Sequence, residues 1–188
     1  MARKGRNTGW RVFFGIELPP WLRNRLAIEQ HRLRLPHHVD PEDLHLTLVF
    51  LGETPPDLLE ASHEAADALA MPGFTLAPQG MGLFGKSRPR NLWAGLAPCP
   101  PLLALQSKLE TALHRVGAAP EKRRFLPHIT LGRFPPTHPP ESTRLETLVA
   151  GAGDFSTDPF PVQEFVLFRS QPQGTAPHYT PLARYGLL

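Results

Sequence analysis

Apolar positions along the chain recur at two alternating periods. Val12 to Leu18 is a short apolar run of strand character. Residues 20 to 34 then place Leu22, Leu26 and Leu33 on one helical stripe among arginines. Leu44 to Leu51 reads as a strand. Thr54-Pro-Pro-Asp57 has the marks of a helix start, with a hydroxyl cap, proline in the first turn and an acid behind it. The helix it predicts carries Leu58, Leu59, Ala65, Ala66 and Leu69 and stops near Pro72-Gly73, and Phe74 to Leu83 follows as an extended segment. The order then repeats. Asn91 to Ala97 is a strand, and Leu102, Leu105, Leu109, Ala112, Leu113 and Val116 make the clearest helical stripe, ending at Gly117. His128 to Phe134 is a strand, Glu141 to Ala150 a weaker helix, Phe160 to Arg169 a strand, and a last extended piece surrounds Tyr179. Each half thus runs strand, helix, strand, helix, strand. This predicts an α+β protein of two similar lobes packed about a pseudo-twofold axis, with 1–188 as one two-lobed domain.

The 23 prolines among 188 residues fall at the joints between these segments, so they read as element boundaries rather than a linker. A chain of this length buries a sizeable core without staples. The single cysteine, Cys99, allows no intrachain disulfide and no Cys-rich zinc site; no chemistry is assigned to it. No apolar run approaches the ~20 residues of a membrane span. The basic start at 1–6 is followed by too brief an apolar run for a secretory signal, so a cytoplasmic protein is expected. The net charge of +3 is compatible with a polyanionic partner without requiring one.

The third segment of each half holds the same pattern: His45-Leu-Thr-Leu48 in the first and His128-Ile-Thr-Leu131 in the second. Side chains alternate along a strand, so His45 and Thr47 share one face while Leu44, Leu46, Leu48 and Phe50 take the other. His128 and Thr130 likewise oppose Ile129 and Leu131. Each motif sets an imidazole and a hydroxyl about 6–7 Å apart on a polar face. One such pair would most simply be a structural histidine; two copies at matching positions point to function. Facing one another, they suit phosphodiester chemistry. One histidine takes a proton from attacking water and the other gives one to the leaving oxygen. The threonines hold the non-bridging oxygens. No metal is required: the adjacent His37 and His38 cannot readily chelate from one face, and no carboxylate cluster accompanies the motif histidines.

With these motifs the sequence resembles the two-histidine phosphoesterase superfamily, and within it the RNA 2′,3′-cyclic phosphodiesterases, or 2′-5′ RNA ligases. Arg11 to Pro19, Asp43 to Glu53, Pro89 to Gly95, Phe125 to Arg133, Leu167 to Ser170 and Tyr179 all carry the likeness. Leu126 departs from it, standing where the family often has threonine. The resemblance implies a bilobal fold of small, mainly antiparallel sheets with flanking helices and an active-site cleft between the lobes. It implies cofactor-independent hydrolysis of a terminal RNA 2′,3′-cyclic phosphate to a 2′-phosphate. His45 would be the acid at the 3′ oxygen and His128 the base, roles that the sequence alone leaves interchangeable, while Thr47 and Thr130 bind the phosphate. The reverse reaction would be a weak 2′-5′ ligation. The partner is RNA with cyclic phosphate ends and the expected state is a monomer. A 2′,3′-cyclic nucleotide is the smaller alternative substrate, and an RNA-binding module without catalysis the alternative of another class.

Further candidates surround the motifs. Lys86, Arg88 and Arg90 form one basic run, and Lys122 to Arg124 another just before the second motif. Of these Arg90 and Arg124, with Arg169, are candidates for RNA contact. Phe84, Trp93 and Tyr179 are candidate stacking surfaces for a terminal base. Arg133 alternates away from His128 and Thr130, so a regular strand aims it elsewhere.

Overall fold

The computed structural model describes residues 9–35, 37–85, 88–122, 124–174 and 176–188. The basic start, Lys86 and Arg123 lie outside the described residues. In chain order the elements are β1 (Trp10–Glu17), α1 (Pro20–Arg32), a short 3-10 turn (Pro41–Asp43), β2 (His45–Thr54), α2 (Pro56–Asp67), β3 (Phe74–Leu76) and β4 (Pro78–Phe84). There follow β5 (Asn91–Leu96), α3 (Pro100–Arg115), β6 (His128–Arg133), α4 (Glu141–Gly151), β7 (Phe160–Val162), β8 (Glu164–Gln173) and β9 (Ala176–Gly186). The mixed α+β class and the internal repeat are both present. The run β1-α1-β2-α2-β3-β4 is matched by β5-α3-β6-α4-β7-β8.

Proline marks the helix starts as the sequence predicts, but without side-chain caps. Pro20, Pro56 and Pro100 open α1, α2 and α3, and none of the residues before them offers a capping hydrogen bond. Thr54 is not the cap of α2. It belongs to β2, where its hydroxyl donates to the Gly52 carbonyl at 3.1 Å. Helix α2 also ends at Asp67, short of Pro72-Gly73. Gly117 does follow α3, at a φ of 86° that only glycine adopts without strain.

One antiparallel sheet of seven strands, ordered β4-β5-β6-β2-β1-β8-β9, runs through the molecule, and β3 pairs with β7 in a separate ribbon. The predicted pair of small sheets are its two halves, joined where β2 meets β6 at the single pair Leu46↔Ile129. The lobes are not the two halves of the chain. The last strand of each repeat crosses over, β4 onto β5 and β8 onto β1. The first helix of each repeat crosses too, α1 packing on β6 and α3 on β2. Periodicity reports which residues are apolar but not which repeat they pack against, so this exchange leaves no trace in the sequence.

The core lies under the sheet. Leu102, Leu105, Leu109 and Leu113 of α3 are almost wholly buried, as are Leu22 and Leu26 of α1, Leu46 of β2 and Ile129 of β6. Each such side chain contributes about 1.5–3 kcal/mol. Among the irregularities of the sheet, two fall at matching places just beyond the motifs. In β2, Phe14 pairs with Val49 and Gly15 with Thr47, leaving Leu48 as an extra residue. In β6, Leu92 pairs with Gly132 and Trp93 with Thr130, leaving Leu131 as the extra residue. The carbonyl exposed at the second bulge is satisfied from the core. The buried Gln30 of α1 donates to Leu131 O at 2.7 Å and to Val39 O at 2.8 Å, while Val39 N donates to the same Leu131 carbonyl at 2.9 Å.

Gln30→Leu keeps the shape of this side chain but removes both donations, leaving the Val39 carbonyl buried without that partner. The expected cost is about 1–3 kcal/mol. It is read as a lower urea midpoint at unchanged m-value; an unchanged midpoint would show that the Gln30 amide does not hold the bulge.

Candidate active site

Each motif histidine is oriented by its own backbone. His45 Nδ1 donates to the carbonyl of Asp43 at 2.7 Å, and His128 Nδ1 donates to the carbonyl of Leu126 at 2.7 Å. A carbonyl only accepts, so both rings carry their proton on Nδ1 and turn Nε2 to the work of the site. His45 Nε2 lies 3.1 Å from Thr47 Oγ1. The partner at the second motif is the carbonyl of residue 126, which any side chain supplies; the leucine there leaves the contact intact.

The junction of β2 and β6 brings the motifs together. Leu46 and Ile129 pair on the core face, so His45, Thr47, His128 and Thr130 all stand on the other face, half-buried. The antiparallel direction sets His45 toward Thr130 and Thr47 toward His128. The bulges then redirect the side chains just beyond each motif. After Leu48 the alternation reverses, and Phe50, expected on the core face, joins the histidine face, where its ring lies 6.3 Å from that of Phe13. After Leu131 it reverses again, and Arg133 turns into the site instead of away from it. Arg133 lines a concavity of about 320 Å³ with His45, Thr47, Phe50 and Tyr179, and its Nη1 donates to the Tyr179 hydroxyl at 3.0 Å. A bulge cannot be inferred from a regular period, and this is why the sequence missed both residues.

The two histidines have different surroundings. His45 is packed by Phe13 at 4.7 Å, Tyr179 edge-on at 4.7 Å and Phe168 at 5.9 Å between ring centres. Burial pushes its pKa down to about 4, against the pull of the Asp43 carbonyl, and the positive charges of Arg133 and His128 lower it further. His128 meets Phe84 edge-on at 4.9 Å and Trp93 at 6.1 Å. Trp93 lies over Gly82, where a Cβ would come within 2.2 Å of the indole, so only glycine admits the ring there.

Of the candidates around the motifs, Phe84, Trp93 and Tyr179 are all brought to the histidines. Arg124 lines a second concavity, of about 570 Å³, together with Thr47, Phe84 and His128. Arg90 is exposed and its carbonyl accepts from Phe134 N at 2.8 Å; it lines neither concavity. Arg169, a candidate for RNA contact in the sequence, does not reach the cleft. It pairs with Val12, whose side chain belongs to the core face, and its guanidinium sits over the ring of Trp10 at 4.1 Å rather than in the cleft. Asp43, which the sequence did not single out, is buried and ties β9 to the motif. Its carboxylate accepts from Tyr179 N at 2.9 Å and pairs with His178 at 3.1 Å. No group of three or more His, Cys, Asp or Glu suited to a metal ion occurs among the described residues.

Residues 18–174 match the sequence profile of the 2′-5′ RNA ligase superfamily. An RNA 2′,3′-cyclic phosphodiesterase of Escherichia coli is 32% identical over 182 residues, covering 94% of this chain and 96% of its own. A protein of the same name from Geobacillus stearothermophilus is 35% identical over 154 residues, 80% of this chain; the chain spans only 47% of that longer relative. Among solved structures, E. coli LigT complexed with 3′-AMP has a TM-score of 0.76 at 30% identity, covering 95% of this chain and 98% of LigT. TT0787 of Thermus thermophilus has a TM-score of 0.77 at 26% identity, covering 94% and 97%.

The packing of His45 sets a titration. In an NMR titration of the free protein its midpoint is expected near pH 4 rather than at the ordinary 6.5. Between those values the unfolded chain binds a proton that the folded chain refuses, so stability falls as pH drops through that window. His45→Gln should flatten this part of the stability curve. A midpoint near 6.5 would contradict the desolvated setting described for the ring.

Proposed function

The chain belongs to the 2′-5′ RNA ligase superfamily, and on that footing we propose that it hydrolyses the 2′,3′-cyclic phosphate at an RNA end to a 2′-phosphate. The observation that carries the reading is the placement of two His–Thr pairs on one face at the Leu46↔Ile129 junction, each imidazole turned by a backbone carbonyl. The name shared by the E. coli and Geobacillus relatives, and the 3′-AMP bound to E. coli LigT, support the substrate class.

In this mechanism water attacks phosphorus on the side of His128, which takes its proton at Nε2 as general base. The bond from phosphorus to O3′ breaks, and His45 delivers a proton to that oxygen, leaving a 3′-hydroxyl and a 2′-phosphate. Thr47 and Thr130 donate to the non-bridging oxygens, and Arg133 offsets the charge that builds on them. His45 is neutral near pH 7 in the free protein, so as the acid it must gain its proton with the substrate. The phosphodiester anion supplies the reason, since a negative charge beside the ring favours its charged form. When a 5′-hydroxyl takes the place of water, His128 takes the hydroxyl's proton, the new O5′–P bond forms as P–O3′ breaks, and the same ring opening joins two RNA ends by a 2′-5′ linkage. Each proton transfer is assigned to a side chain, so turnover is expected to persist in EDTA.

His45→Ala and His128→Ala should each lower kcat by about 10²–10⁴ with RNA binding largely kept. The double variant should be only slightly worse than the poorer single, because residues acting as a unit leave little for a second deletion to remove. A loss under tenfold in either folded single variant would end the paired acid–base reading. The division of roles has its own measurement. Binding of 2′-AMP should raise the His45 midpoint well above 4. If His45 stays neutral in that complex at pH 7, it is the base and His128 the acid.

A further inference from the structure

From the histidines the surface opens in two directions. One arm is the concavity of about 570 Å³ beyond Thr47 and His128, which is lined by the carboxylates Glu110 and Glu121 as well as Arg124. The other arm starts at Arg133 and Pro177, which line both the His45 concavity and a further one of about 560 Å³ with His37 and His38. His38 in turn lines the next, of about 660 Å³, with His31, Arg32 and Arg34 at the end of α1. Shared lining residues therefore join three concavities into one groove that leads away from the site.

Charge separates the two arms. Glu121 lines the His45 concavity itself as well as the first arm; beyond it, along the second arm, Asp40 is the acid among the described lining residues, and its carboxylate accepts from Glu42 N at 2.9 Å. Arg32 is held by Glu29 at 2.7 Å, whereas Arg34 enters no ion pair among the described residues. Arg34 takes the left-handed position that closes α1, at φ of 47°, with its N–H donating to the His31 carbonyl at 3.0 Å. Arg144 fixes it there by donating to the carbonyls of Leu33 and Arg34 at 3.3 and 3.1 Å. An exposed cation on a capped, braced helix end thus stands at the far end of the groove.

We propose that the body of a single-stranded RNA, entering with its cyclic end at the histidines, leaves past Arg133 and runs over His37 and His38 to Arg34. The inference rests on the reading of the site as one for RNA ends, and it adds a path for the strand. Beyond the histidines the phosphates of the strand meet Arg133 and Arg34 against the one carboxylate of Asp40 on this arm, where the other sets Glu110 and Glu121 against Arg124, and exposed imidazoles offer donors and stacking planes to unpaired nucleotides.

The test is binding of a fluorescent eight-nucleotide RNA ending in a 2′-phosphate, by anisotropy across a salt series, beside binding of 2′-AMP. Arg34→Gly removes the charge and relieves the positive φ, so it should fold at least as well as the parent; Arg34→Lys keeps the charge. In Arg34→Gly combined with His38→Gln, affinity for the octamer should fall about 3–10-fold, and the salt slope should shrink by about 0.7 for each phosphate that is no longer neutralised. Affinity for 2′-AMP should stay within twofold, and Arg34→Lys should retain octamer binding. Unchanged octamer affinity in the combined variant, or a parent that binds octamer and 2′-AMP equally, would overturn the path. So would a larger loss in Arg124→Gln, which would put the strand on the other arm. Turnover of RNA with a 2′,3′-cyclic end is measured in parallel. A parent that binds the octamer but opens no cyclic phosphate would refute the enzymatic reading, while the anisotropy would still judge the path.

Discussion

The site hangs on the contact between β2 and β6. Two strands of one continuous sheet meet there through the single pair Leu46↔Ile129, and everything proposed to act on phosphorus stands on the opposite face of those two residues. Because side chains alternate, burying Leu46 and Ile129 forces the flanking histidines and threonines outward. The same apolar burial that stabilises the junction therefore assembles the polar site. A slip of one residue in either strand would send its His–Thr pair into the core. Register is protected by features away from the junction: the Gln30 amide on the Leu131 carbonyl, Asp43 receiving the backbone of Tyr179, and the Arg133–Tyr179 contact that links β6 to β9.

Two sequence copies of one motif do not make two copies of one environment. His45 lies among Phe13, Phe168 and Tyr179 with Arg133 close by, and its charged form is disfavoured. His128 is flanked by Phe84 and Trp93. The two histidines of the proposed acid–base pair therefore stand in different packing environments. The difference is built by strands on either side of the motifs: Phe13 from β1, Phe168 from β8, Tyr179 from β9, and Phe84 and Trp93 from β4 and β5.

The paired bulges show how a small irregularity redirects chemistry. With regular strands, Phe50 would be core and Arg133 would point away from the histidines. The extra residue next to each threonine, Leu48 in β2 and Leu131 in β6, reverses the alternation there. The pseudo-twofold relation is therefore kept in backbone shape, yet it delivers an aromatic ring on one side and a guanidinium on the other.

The strands and helices, their order, their repeat and the two His-x-Thr faces were legible in the sequence, because period and proline placement are local and each motif needs only strand alternation. The histidine partners were not legible, since a carbonyl two residues back and the rings of Phe13 and Phe168 are revealed only when strands pair. Nor was the exchange of β4, β8, α1 and α3 between lobes, because an apolar stripe is equally satisfied by either sheet half. Arg169 and Arg133 changed places for the same reason. Which face a charged residue occupies depends on register and bulges, which are settled by hydrogen bonds between segments far apart in the chain. Local pattern shows which groups are available for chemistry, whereas pairing between distant strands settles which of them share a cleft and in what electrostatic setting.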